Sequence, residues 1–390
     1  MRVLYVLPSL LTGGAEALVS QWAALLPAAG HTVEVCTLYT GGPFARRLAE
    51  GGIRVHNLNH DPGIERYRLR RKYDPALVAA LARLIRSGGY PIVHGHLFPV
   101  LLHLAFVSVL VPGPAYLYTE HSVQNRRRRH PAFKPLDRLL YSRYRQILPA
   151  SEGVAAALCR WLPELRAKVQ VVPNTVAAAP AALTAAGRTA LRDELGIAPG
   201  EAVVLYAGRL VPEKGADVLL AALTGLTPPG PVRVLVAGDG PLRAELEGRA
   251  RALTSPVQVS LLGNREDLPR LLALADLVVL PSRWEGLPMF LLEAMAAGKA
   301  VLACAVGGIP DAVEHAASGW LVAPEDSPAL GAALSHLLAR PPLRARLGAG
   351  ARQTFVARFS PEQAVETLLA VYARYDPAAA GWPDSARVPL

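Results

Sequence analysis

Between Arg283 and Lys299 the chain reads R-W-E-G-L-P-M-F-L-L-E-A-M-A-A-G-K, which sets two carboxylates, Glu285 and Glu293, with seven residues between them. Glu285 falls in a Gly/Pro loop, and a helix is predicted to begin near Pro288 or Met289. Glu293 then lies about one turn inside it, on the strip that also carries Met289 and Ala297. Carboxylates accept hydrogen bonds from hydroxyl-rich groups, and the free amides of a helix start attract anions such as phosphate. A nucleotide-sugar carries both kinds of group. The structural alternative is a capping Glu beside an unrelated surface Glu.

Strand-like apolar runs alternate with helical segments along the whole chain, which predicts an α/β architecture with parallel sheets. Strands are expected at Arg2–Leu7, Thr32–Thr37, Arg54–Asn57, Ile92–Gly95, Tyr116–Glu120, Gln146–Pro149 and Val169–Val172. A helix over Ala15 to Gly30 closes on a Gly stop. The Ala- and Pro-rich stretch from Val176 to Thr189 reads as a connection. A second series follows, with strands at Ala202–Ala207, Val232–Ala237, Val257–Leu262, Leu277–Leu280, Ala300–Ala303 and Gly319–Val322. Ser327 to Leu347 and Pro361 to Tyr375 end the chain helically. This divides the chain into domains over residues 1–175 and 176–360, a helix over 361–376 that returns towards the first domain, and a loosely held tail over 377–390.

Ligands gather beyond the carboxyl ends of open parallel sheets, and that is where further candidates fall. After the strand ending near Ala207 comes G-R-L-V-P-E-K-G, whose Arg209 and Lys214 suit a pyrophosphate: a guanidinium fork and a point charge. After the next strand, G-D-G-P (Gly238 to Pro241) allows close backbone approach. After the third, Gly263-Asn264-Arg265 offers main chain on which a base could rest. One Gly turn is weak, because strand–helix loops need glycine structurally; four ligand-suited turns in one sheet carry more weight.

The 390 residues exceed one ordinary core, and 52% apolar with 18% charged residues describes a globular chain. Cys36, Cys159 and Cys304 are far apart and form no disulfide or zinc pattern. The N-terminus reads as a buried strand, not a signal peptide, and Val100 to Val111 is too short to span a bilayer, which needs ~20 apolar residues. A cytoplasmic protein is expected. The net charge of +10 is unevenly spread: 22 Lys and Arg face 10 Asp and Glu through Thr175, against 19 and 21 after it. Arg66 to Lys72, Arg126 to Arg129 and Lys134 to Arg145 carry the excess, which predicts an anionic membrane surface as a partner and a peripheral place at the inner face of the cell membrane. The alternative is a solvated face. Arg126 to Arg129 lacks interleaved aromatics, so no nucleic acid is expected, and a mobile acceptor-side loop is preferred there.

Ala207 to Gly319 resembles the donor-binding half of the retaining, family-4 type glycosyltransferases with the GT-B fold. The motifs are G-R-L-x-x-E-K-G, G-D-G-P, L-G-N and E-G-L-P-x-x-x-L-E-A-M-A-x-G. The first half agrees through Gly13-Gly14-Ala15-Glu16, V-H-G-H-L (His94, His96), T-E-H-S (His121) and V-P-N (Asn174), so the resemblance extends to about Tyr375. It implies two Rossmann-like doubly wound domains facing across a cleft. It further implies Arg209 and Lys214 on the diphosphate, Glu293 on the ribose, and Glu285 with the amides of Gly286 and Leu287 on the transferred sugar. His121 would lie beside that sugar, and Gly14 would let the first loop approach diphosphate and acceptor. The family's frequent P-N-G reads Pro173-Asn174-Thr175 here, and Thr is worse than Gly at positive φ.

His94 and His96 have metal-like spacing, but no carboxylate or Cys completes a site. No D-x-D occurs anywhere, so the expectation is transfer without metal or other cofactor, with the cations and helix dipole opposing the leaving group's charge. The acceptor class expected is lipid-linked, polysaccharide or glycolipid, in cell-envelope or exopolysaccharide synthesis. Three rival readings remain, the first on the same fold. A nucleotide-sugar epimerase would need acid/base groups around the sugar C2. A silent nucleotide-sugar-binding protein need not keep Arg209, Lys214, Glu285 and Glu293. A dinucleotide oxidoreductase would want a third Gly where Arg243 stands.

Overall fold

Strands covered by helices on both faces of a parallel sheet are buried from two sides and read as unbroken apolar runs. β1 (Arg2–Ser9) is such a run, buried along its length after Arg2. The computed structural model describes residues 1–11, 13–59, 74–125, 127–177, 183–253 and 256–376. These divide into two units, one holding Met1–Asn174 and the chain from Pro361 onward, the other Thr175–Ser360.

In the first unit β1 is joined by β2 (Thr32–Thr40), β3 (Arg54–Asn57), β4 (Ile92–His96), β5 (Ala115–Glu120) and β6 (Gln146–Pro149), in the order β3-β2-β1-β4-β5-β6. Every pairing is parallel. The second unit repeats the plan with β7 (Ala202–Ala207), β8 (Val232–Ala237), β9 (Val257–Gly263), β10 (Leu277–Leu280), β11 (Val301–Cys304) and β12 (Trp320–Val322), in the order β12-β11-β10-β7-β8-β9. In each sheet the chain runs outward to one edge and then returns to the far side of its first strand. The loops leaving β1 and β4, and those leaving β7 and β10, therefore diverge at a reversal of strand order, the place where such sheets open a crevice.

Helix ends follow local chemistry. Gly14–Leu25 passes into a 3-10 turn, Leu26–Ala29, and stops at Gly30, whose φ of 79° suits glycine. Thr184 caps Ala185–Glu194 by accepting from the Gly187 amide, so the expected irregular connection ends earlier than Thr189, and residues 178–182 lie outside the described ones. The expected strand at Val169–Val172 does not form. Val169 makes one isolated bridge to Ile147; the Gln170 and Val172 amides donate to Ile147 O and Pro149 O, but Pro149, lacking an amide proton, can return no bond and the ladder stops. The helical stretch from Ser327 breaks into Ser327–Leu338 and Pro341–Arg358, because consecutive prolines at 341 and 342 cannot donate to the preceding turn. Pro361–Tyr372 belongs to the first unit. The basic run 66–72, Arg126 and the tail 377–390 fall outside the described residues.

Candidate functional site

At the reversal point of the second sheet, the loop after β7 and the loop after β10 are bonded together. Lys214 ends a 3-10 turn (Pro212–Lys214), and its Nζ lies 2.7 Å and 2.8 Å from the two carboxylate oxygens of Glu285. Ser282 Oγ donates to Glu285 Oε1 at 2.8 Å. The Glu285 side chain is 8% exposed whereas Lys214 keeps 27%, so the ammonium is the more open partner of the pair. Arg283 locks the arrangement. Its amide donates to Glu213 O at 2.9 Å, its Nη1 to Pro212 O at 2.6 Å, and its fork grips Asp217 at 2.9 Å and 2.7 Å. That pairing, together with Glu325, raises the Arg283 pKa against burial and lowers that of Asp217.

Glycines permit the loops to touch. A Cβ on Gly215 (φ +66°) would sit 1.9 Å from Pro281 O, and one on Gly307 (φ +58°) 1.9 Å from Glu285 O. Gly308 adds an amide bond to Gly286 O at 2.6 Å. Gly238 (φ +133°) plays the same part between β7 and β8: its Cβ would lie 2.0 Å from Gly208 O. The G-D-G turn thus packs against its neighbouring loop, which is the approach its glycines are needed for in this structure. Gly263 O accepts from the Gly238 amide at 2.7 Å, extending the seam to β9. Beside it Asn264 is exposed. The Arg265 guanidinium is occupied, bonded to Asp267 at 2.7 Å and 2.8 Å and to Glu194 at 3.0 Å. Arg209 is exposed and pairs with no carboxylate among the described residues.

Glu293 is the opposite of Glu285. The helix Met289–Ala296 buries Phe290, Leu291, Leu292, Ala294, Met295 and Ala296, which leaves Met289, Glu293 and Ala297 as its open strip. Each large buried side chain contributes about 1.5–3 kcal/mol, which fixes the helix's rotation. Glu293 is thereby held in place with no hydrogen-bond or ionic partner among the described residues, and desolvation raises its pKa. A desolvated, unpaired acceptor is a costly thing to keep unless something donates to it. Leu287 is buried at the loop's end, and Gly286 is half-buried.

The reversal point of the first sheet holds a different cluster. His94 and His96, from β4, and His121, just after β5, meet Tyr5 of β1 and Trp22, with the two β4 ring centroids 4.4 Å apart. His94 Nδ1 lies 2.7 Å from the Tyr372 hydroxyl and Nε2 2.8 Å from Thr119 Oγ1, while Tyr372 reaches Tyr5 at 3.0 Å. A neutral ring satisfies all of them if Nδ1 donates to Tyr372, Tyr372 to Tyr5, and Thr119 to Nε2. His96 Nδ1 is 3.1 Å from His121 Nε2, and His96 Nε2 is buried without a partner among the described residues. Burial lowers all three pKa values, His94 to about 3 and His121 to about 4. Gly14 is exposed at the first position of its helix.

The basic run near Arg126 is not a loose loop. Arg127–Arg129 forms a 3-10 turn, Arg127 Nε bonds the fully buried Asp137 at 2.6 Å, and Arg128 Nη2 bonds Glu120 at 2.6 Å. Trp161 Nε1 completes Asp137 at 3.0 Å. These two arginines serve the interior of the unit, and the expected solvated basic face loses them. Sequence reasoning also missed Ser282, Arg283, Gly307 and Tyr372. The A-V-G-G after β11 and the Ser three residues before Glu285 were visible signals, whereas nothing local marks Tyr372.

A family model described as "Glycosyl transferases group 1" matches residues 187–354, and one described as "Glycosyltransferase Family 4" matches residues 12–179. The chain belongs to this glycosyltransferase family, and its two doubly wound units have the GT-B fold. Alpha-D-kanosaminyltransferase of Streptomyces kanamyceticus is 34% identical over 192 residues, covering 48% of this chain and 50% of that protein. D-inositol 3-phosphate glycosyltransferase of Saccharomonospora viridis is 38% identical over 199 residues, covering 47% and 46%. The matched stretch spans about half the length of these curated relatives. Among solved structures, HepE of Anabaena in complex with UDP and glucose superimposes with a TM-score of 0.82 at 23% identity, over 95% of this chain and 99% of that one. Sucrose-phosphate synthase of Thermosynechococcus elongatus gives 0.78 at 23%, over 98% and 100%. Among the described residues no helix is long and apolar enough to cross a membrane.

Proposed function

We propose that the chain is a retaining, metal-independent hexosyltransferase that moves a sugar from a nucleotide-diphosphate sugar to a lipid-linked or glycan acceptor, in the assembly of cell-envelope or exopolysaccharide material. One observation carries this reading. A lysine held against a buried carboxylate at the sheet reversal stands with a second, unpartnered carboxylate on the only open strip of the following helix. That constellation answers a ligand bearing both anionic and hydroxyl groups. The kanosaminyl and inositol-phosphate transferases among the relatives support sugar transfer, and HepE's complex with UDP-glucose supports a nucleotide-sugar donor.

In this reading Arg209 and Lys214 oppose the charge that develops on the departing diphosphate, work that a metal ion does elsewhere. Lys214 exchanges part of its double contact with Glu285 for phosphate, while Ser282 keeps Glu285 in place for the sugar hydroxyls, together with the Gly286 and Leu287 amides. Glu293 accepts from the ribose. Gly238, Gly263, Asn264 and the Arg265 main chain border the base. Within the first unit His121 Nε2 is tied to His96, which leaves Nδ1 as its second ring nitrogen. The acceptor hydroxyl attacks the anomeric carbon on the face the diphosphate leaves. The bond from that carbon to the phosphate oxygen breaks, the bond to the acceptor oxygen forms, and the acceptor proton passes to the departing phosphate. NMR of the product should show the donor's anomeric configuration kept, with rates unchanged by EDTA. An inverted linkage, or activity lost to EDTA and restored by a divalent ion, contradicts the mechanism.

A further inference from the structure

A surface helix ordinarily turns polar residues outward, and one that is apolar all round is buried in a core or in lipid. The helix Phe98–Leu110 of the first unit breaks that rule. Its inner face packs Val100, Leu101, Leu104 and Val107 into the core, yet Phe106, Val109 and Leu110 on its outer side are 57%, 57% and 54% exposed. The neighbouring helix Lys134–Ser142 does the same with Leu136 and Leu139, and Phe133 precedes it. Of the seven exposed large apolar side chains among the described residues, five lie on these two adjoining helices and a sixth, Phe133, immediately precedes the second. Chance scatter does not concentrate them so.

The charges around this face are mainly positive, with Asp74 at the start of Pro75–Gly88 and Glu164 as acids. Phe98–Leu110 carries no ionised residue, and the adjoining helix Pro75–Gly88 carries Arg83 and Arg86, both exposed, and no acid. Arg138, Arg143 and Arg145 stand exposed along and beyond Lys134–Ser142. The sole acid of that helix, Asp137, is fully buried and bonded to Arg127 and Trp161, so it offers the surface no negative charge. Glu164 at the rim is paired with Arg138.

We propose that this apolar face, rimmed by cations, docks the chain on an anionic lipid bilayer. The apolar side chains enter the region between headgroups and acyl chains, and the arginines meet lipid phosphates. At 13 residues Phe98–Leu110 is about 20 Å long, short of the roughly 30 Å hydrocarbon layer, so it lies along the membrane and does not cross it. The surface differs from the Arg126–Arg129 run, whose second and third members are spent inside the fold. The inference is independent of the donor-site reading, since it uses no residue of the second unit.

Flotation of the full chain tests it, with vesicles of equimolar phosphatidylcholine and phosphatidylglycerol set against phosphatidylcholine alone. The wild type should float with the anionic vesicles, weakly with neutral ones, and less as salt rises. Phe106→Asp combined with Leu139→Asp should lower partitioning about a hundredfold, with melting temperature and nucleotide response unchanged. Arg143→Gln, which leaves the apolar face whole, should lower it about fivefold. Failure of the wild type to float, equal binding to neutral vesicles, or variants that float like the wild type overturns the proposal. So does a wild-type dimer in light scattering that the double substitution dissolves without altering flotation, which would assign the face to a second copy.

Discussion

Glu285 and Glu293 show how one residue type is given two tasks by its surroundings. Glu285 is neutralised by Lys214 and held by Ser282, so it is paired before any ligand arrives. Glu293 is desolvated and unpaired, which holds its pKa above the usual carboxylate value. A raised carboxyl favours the fold most where it is protonated, and that contribution is lost as pH rises through the folded pKa. Glu293→Gln should therefore leave the ligand-free protein at least as stable as wild type at pH 7, while nucleotide affinity falls tenfold or more in calorimetry, roughly the 1.4 kcal/mol or more of a charge-assisted hydrogen bond. A destabilised variant with normal affinity contradicts that assignment. The motif spacing made both carboxylates legible in the sequence. Their contrasting states were not, because Lys214 lies 71 residues from Glu285 and only the fold brings them together.

At the scale of elements, alternating apolar runs disclosed eleven of the strands nearly to their ends, since a parallel sheet buried on both sides leaves few polar positions to blur them. Val169–Val172 misled because a short apolar run looks the same whether it makes a ladder or one bridge. Glycines misled in a subtler way: G-D-G reads as room for a ligand, and Gly238 is required first by Gly208 of the neighbouring loop. The same logic gives Gly307 a clear prediction. Alanine there takes a strained φ and meets the Glu285 carbonyl, so Gly307→Ala should cost about 2 kcal/mol or more in chemical denaturation and displace the Glu285 loop enough to slow transfer. Unchanged stability and rate would remove the loop-packing account.

Over the whole molecule, the helix Pro361–Tyr372 returns to the first strand of the first unit. Tyr372 is fully buried and joins Tyr5 to His94, a contact no local pattern announces. The histidines around it resist protonation because they are buried, with like charges on neighbouring rings adding to that for His94 and His96. Unfolded, each would titrate near 6.5, so the unfolded chain binds the extra protons below that pH. Stability is full above about pH 6.5 and is lost as pH falls towards about 4 for His121 and about 3 for His94. Melting temperature should drop between pH 7 and pH 5, and His121→Asn should flatten the fall; an unchanged slope means the cluster does not govern it.

The central claim concerns the second unit alone: fixed cations and two carboxylates grip a sugar diphosphate. A thermal-shift screen of nucleoside diphosphates and their sugars against wild type, Lys214→Ala and Glu293→Gln tests it most directly. One nucleotide series should raise the wild-type melting point, by about 2.7 kcal/mol of added stability at a hundred times Kd, and both variants should lose most of that gain. If no nucleotide stabilises the wild type, or the variants respond as it does, Lys214 and Glu293 do not hold a donor.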